Sequence, residues 1–109
     1  MAVLTTTLAG NQLTCSVTFT TLAGTPTDPT GVTFSYEYDG SDLTDVAWNG
    51  SSSSSALNTV WRTGTGTYSA LIGTTSAMAP VMNVAFAGSG AIVATVAGVV
   101  QITTSPALP

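Results

Sequence analysis

The chain has 109 residues, enough for one domain whose core can fold without a metal or a cross-link. Only 6% of it is charged, against about 25% in ordinary globular proteins, and the formal net charge is -4. Arg62 is the sole basic side chain, with no lysine or histidine, which excludes neutralising a nucleic-acid backbone or adsorbing to anionic lipid.

The opening residues Val3 to Leu8 are Thr-rich and β-prone, and Gly10-Asn11 is a turn signal. They contain neither a basic region nor a long apolar stretch, so no secretory signal is expected. The run Gln12-Leu13-Thr14-Cys15-Ser16-Val17-Thr18-Phe19-Thr20 alternates apolar and polar residues without a break. Successive strand side chains point to opposite faces, so Leu13, Cys15, Val17 and Phe19 form a dry face and the hydroxylic residues a wet one. Cys15 is the only cysteine; it lies on the dry face, where a free thiol behaves as a small hydrophobe.

Gly24-Thr25-Pro26-Thr27-Asp28-Pro29 is dense in turn formers. Alternation then returns, with Val32, Phe34, Tyr36 and Tyr38 on one face, and Asp39-Gly40 closes that strand. Residues 41–58 read as a long Ser-rich exposed loop, with a short strand around Val46 to Trp48. Val60-Trp61-Arg62 resumes strand character, Gly64-Thr65-Gly66 turns it, and Thr67 to Ile72 returns with Tyr68 and Ala70 inward. Met82, Val84 and Phe86 share a face of the next strand, and Gly88-Ser89-Gly90 reads as its hairpin turn. Residues 91–96 are a short strand or an extended link, residues 98–104 the last strand, and residues 105–109 a flexible tail.

The uncharged stretch from Val81 to Val100 is long enough to cross a bilayer. Its glycines, its Asn83 and its lack of basic anchors favour two strands instead. The reading is therefore an all-β domain over residues 1–104, an antiparallel sandwich of about seven strands. Its expected core is Leu13, Cys15, Val17, Phe19, Val32, Phe34, Tyr36, Trp61, Tyr68, Val84 and Phe86.

Few residues suggest chemistry. Glu37, Asp39, Asp42 and Asp45 cluster and could offer oxygens to Ca²⁺, but the spacing lacks the closing glutamate of an EF-hand loop, and solvated loop charge explains them better. Nothing around them suggests the apolar pocket that a glycosidase acid needs. The two Gly-x-Gly turns precede no helix and so do not cradle phosphate. Zinc lacks ligands, and a catalytic thiol lacks a histidine base. No cofactor, metal site or catalytic residue is expected, and the chain reads as a non-enzyme. Asn49-Gly50-Ser51 matches a glycosylation acceptor, which has little meaning without a secretory signal. Trp48 is the best exposed aromatic: a contact to a partner or a carbohydrate, or a lid folded back over the sandwich end. With so little surface charge, both a neutral monomer and a subunit of a larger assembly are open; the Thr, Ser, Ala and Gly surface favours the subunit.

Residues 17–40, residues 60–70 and the closing strands together resemble the small immunoglobulin-like domains among the virion structural proteins of tailed bacteriophages. The resemblance rests on the turn Gly24-Thr25-Pro26-Thr27-Asp28-Pro29 followed by the hairpin Arg62-Thr63-Gly64-Thr65-Gly66-Thr67-Tyr68. The Ser-rich loop, and Met82 and Phe86 where a tryptophan is common, depart from that pattern. The resemblance implies an immunoglobulin-like sandwich in a virion assembled in the host cytoplasm. The expected role is a capsid decoration or minor capsid protein, binding a major capsid or tail protein in many copies. The alternatives are a head–tail connector or tail component, and, from another class, a carbohydrate-binding or host-adhesion module with weak glycan affinity. The candidate contact residues are Trp48, Asp42, Asp45, Pro106 and Leu108.

Overall fold

A computed structural model describes residues 1–38, 41–53, 56–75, 78 and 81–102. The expected Asp39-Gly40 turn, Ser54 and Ser55, the tail, and the candidate contacts Pro106 and Leu108 lie outside the described residues.

Eight strands follow in order: β1 (Ala2–Ala9), β2 (Gln12–Phe19), β3 (Gly31–Tyr38), β4 (Thr44–Ala47), β5 (Thr59–Gly64), β6 (Thr67–Gly73), β7 (Val81–Ser89) and β8 (Ala94–Gln101). They form two four-stranded antiparallel sheets, β1-β2-β6-β5 and β4-β3-β7-β8. This is the immunoglobulin-like order, with the second sheet gaining one short edge strand over the seven-stranded form. The count exceeds the expected seven because β4, with only four residues, is a full member of the ladder through Thr33 to Tyr36.

The alternation of β2 survives intact: Leu13, Cys15 and Phe19 are fully buried and Val17 nearly so. Facing them from the other sheet are Val32, Phe34, Met82, Val84, Phe86 and Val100. Phe34 and Phe86 are register partners with ring centroids 4.9 Å apart. On β6, Tyr68, Ala70 and Ile72 close the core. On the wet face of this sheet, Ser16 and Ser69 hydroxyls lie 2.8 Å apart and Thr18 and Thr67 hydroxyls 3.4 Å apart, so cross-strand hydroxyl pairs line it.

Two core assignments need correction. Trp61 is half-buried and lies on the outer face, opposite Ser69. Its neighbour Val60 takes the inward position of β5 opposite Ala70, and strand alternation then turns Trp61 away from the core. Tyr36 is also half-buried. It has inward parity but sits toward the end of β3, packed on the core through Phe34 with its hydroxyl 3.5 Å from the Asn58 side-chain oxygen.

The last two strands also differ from expectation. Gly88 and Ser89 stay in β7, so the reversal falls on residues 90–93, and β8 runs through Gly98 as one strand. A Cβ at Gly98 would lie 2.9 Å from the Leu4 side chain, so the glycine there admits close approach of β1. The uncharged stretch is this β7–β8 hairpin, and among the described residues no helix is long and apolar enough to cross a membrane.

Phe34→Ala should lower unfolding free energy by about 3–5 kcal/mol, read from urea denaturation, because it empties the centre of the inter-sheet core. A change near zero would mean that the ring is not part of that core.

Candidate functional site

The two motifs that carried the resemblance meet in space. Asp28, in the β2–β3 loop, accepts four hydrogen bonds. Its Oδ1 takes Arg62 Nε at 3.0 Å, the Gly66 backbone N–H at 2.8 Å and the Tyr68 hydroxyl at 3.1 Å; its Oδ2 takes Arg62 Nη2 at 3.0 Å. The Arg62 fork on the carboxylate is the planar, two-bond pairing for which arginine is suited.

The Arg62 side-chain hydrogen bond does most to hold the Asp28 carboxyl down at about 2, helped by the Gly66 N–H and the Tyr68 hydroxyl. Tyr68 is pushed up to about 12, first by burial and then by donating to Asp28. Gly66 has φ +72°, and a Cβ there would fall 2.6 Å from the Phe19 carbonyl oxygen and 2.8 Å from the Thr27 nitrogen. Only glycine fits this hairpin tip so close to the loop that it carries.

Trp48 belongs to the same end. Its indole Nε1 donates to the Ser51 carbonyl at 2.7 Å, and its ring meets Tyr68 edge-on with centroids 5.1 Å apart. The Arg62 backbone N–H donates to that same carbonyl at 3.0 Å. Of the readings open for Trp48, the fold takes the one in which the ring folds back over the sandwich end; it is half-buried and its indole N–H is already spent. The ring is thereby fixed in orientation at the sandwich end. Trp61, which the sequence reading placed inside, is the tryptophan on an outer sheet face.

Asp42 and Asp45 are exposed on the β3–β4 segment, and Asp45 Oδ1 accepts the Ser35 hydroxyl at 2.6 Å. Among the described residues, no group of three or more His, Cys, Asp or Glu could hold a metal ion. Cys15 is fully buried, and burial pushes its thiol up to about 12, so it carries no thiolate at neutral pH.

A concavity lies on the outer face of the β4-β3-β7-β8 sheet, an open dish of about 410 Å³. Two cross-strand rows build it: Ser35-Ala85-Ala97 and Glu37-Asn83-Val99. Leu43 closes one side. Small residues at the centre and larger ones around them make the hollow. Sequence reasoning marked Glu37 only as a loop-cluster acid and missed the dish, because no one segment contains it.

No family model, curated protein or solved structure matches the chain.

The end network yields a pH prediction. The Asp28 carboxyl has an ordinary value of 3.8 and is lowered to about 2 when folded. Its contribution to stability is therefore complete above pH 3.8 and is lost as pH falls through about 2. Asp28→Asn should cost about 1–2 kcal/mol at neutral pH, a value reduced for the part-exposed, solvent-screened site. It should also flatten the fall in stability across that acid window, as read from urea midpoints. Equal acid sensitivity in both proteins would remove Asp28 from this role.

Proposed function

We propose that the chain is a non-enzymatic structural protein of a tailed-bacteriophage particle, a decoration or minor capsid protein that works by surface complementarity in many copies. The observation that supports this reading best is the way the fold uses its charge. The only basic side chain is spent holding the sandwich end together, while an apolar, small-residue face on the second sheet is left open. A surface of that kind suits contact with protein rather than with a charged polymer. The order of the Gly24–Pro29 and Arg62–Tyr68 motifs, joined through Asp28, adds the resemblance to phage virion domains.

The reading as a glycan-binding module has less support, because Trp48, its best candidate, is half-buried, edge-on to Tyr68 and hydrogen-bonded to Ser51. A head–tail connector or tail component remains the alternative within the same class.

Mass spectrometry of purified particles of the encoding phage should find the chain as a multi-copy component; its absence would overturn the proposal. Purified protein added to particles lacking it should remain bound as salt is raised well above physiological strength, since screening acts on charge and the contact has little. Complete release at about 0.15 M ionic strength would refute an apolar interface and favour adhesion through the acidic loop.

A further inference from the structure

The dish on the second sheet has a chemistry of its own. Its floor is Ala85 and Ala97 with the backbone around Gly98, and its walls include Leu43 and Val99, which are 58% and 65% exposed. One wall carries the Glu37 carboxylate, opposite Asn83 in register. Neither side chain has a hydrogen-bond or ion-pair partner among the described residues. Asp45, opposite Ser35, adds a second negative charge on the neighbouring strand, and Asp42 stands beside Leu43. The face therefore joins an apolar hollow to uncompensated negative charge.

We infer that this dish receives a basic side chain, arginine or lysine, presented by a partner protein; the inference rests on the reading of the chain as a protein-binding virion component. The aliphatic stem would lie along Ala85, Ala97 and Val99, and the cationic head would meet Glu37 and the Asn83 side-chain oxygen. Long basic side chains are built for such a site, with an apolar stem and a polar tip.

Charge complementarity also decides against a second copy as the occupant. The chain's one basic side chain, Arg62, is clamped on Asp28 in the β2–β3 loop, and the amino group of Met1 donates to the Thr20 carbonyl. Two copies facing each other through this surface would bring carboxylates together with no cation between them. Nucleic acid and anionic lipid are repelled for the same reason. A single ion pair set in an apolar hollow also fits the weak salt dependence expected of particle binding, because only one charge contact is screened.

The test uses the full chain, ¹⁵N-labelled, titrated with N-acetyl-arginine amide and, as the neutral control, N-acetyl-norleucine amide. The arginine amide should shift the amide signals of Glu37, Asn83, Ala85, Ala97 and Val99 with millimolar affinity. Glu37→Gln should weaken it about three- to fivefold, and Ala97→Leu, which fills the floor, should abolish it. Equal binding of the norleucine amide, shifts centred elsewhere, or no shift at all would overturn the proposal.

Particle binding separates this site from the functional reading. Glu37→Arg should lose association with particles lacking the protein, with Glu37→Gln as the milder variant that keeps the fold. Particles that take up Glu37→Arg as well as the parent would refute the dish as the interface and leave the structural role standing. A parent chain absent from particles, but whose dish still takes the arginine amide, would overturn the virion reading and support the site.

Discussion

The Asp28 carboxylate is the point on which one whole end of the molecule depends. Backbone bonds hold the ends of this two-proline loop, with Thr27 N–H donating to the Phe19 carbonyl and Thr30 N–H to the Ser89 carbonyl, and Asp28 fixes its middle. Asp28 ties it to the β5–β6 hairpin through a side-chain fork, a backbone N–H and a phenol at once. The circuit then closes on itself: Tyr68 meets Trp48, Trp48 donates to the Ser51 carbonyl, and Arg62 donates its backbone N–H to that carbonyl. The neighbouring β7–β8 turn joins from the other side, where Thr30 N–H donates to the Ser89 carbonyl and Ala91 N–H to the Thr30 hydroxyl. Four connections, β2–β3, β4–β5, β5–β6 and β7–β8, are held as a unit by hydrogen bonds, with one ion pair among them. Networks of this kind fix a unique arrangement because each member satisfies another.

The two outer faces of the sandwich differ in kind. The β1-β2-β6-β5 face carries rows of hydroxyls that pair across strands, with Trp61 among them. The β4-β3-β7-β8 face carries alanines and valines around a hollow, with acids toward its β3–β4 side. On the first face two hydroxyl pairs satisfy each other, and Val3 and Trp61 are its larger apolar side chains. A small-residue sheet with exposed valine and leucine loses little on being covered and gains the burial. The difference gives the molecule a front and a back, although both sheets share one core.

Much of the architecture was legible before the fold. The unbroken alternation of β2, and the shared faces of Val32 and Phe34 and of Met82, Val84 and Phe86, were read correctly because period-2 patterning is a local property. Trp61 lies in a strand, which suggests the core, but parity with the inward Val60 puts it on the outer face. The β7–β8 reversal was placed early because Gly88-Ser89-Gly90 looks like a turn, while tertiary contacts keep Gly88 in the ladder opposite Val32. The end network was half visible: both motifs stood out, but that Asp28 joins them is a contact across 34 residues to Arg62, which spacing alone does not reveal. The dish is invisible in the sequence for the same reason, since its two rows come from three strands and one side from a loop residue, Leu43.

Cys15 has a consequence for where such a molecule can be made and used. Its sulfur is sealed between the sheets and stays protonated at any ordinary pH, and the chain has no second thiol to pair with. Immunoglobulin domains of antibodies cross-link their two sheets at the core through a disulfide; here aromatic and aliphatic packing fills that space. The fold is therefore indifferent to redox potential. No disulfide has to form for the sandwich to reach this arrangement, in a reducing or an oxidising compartment.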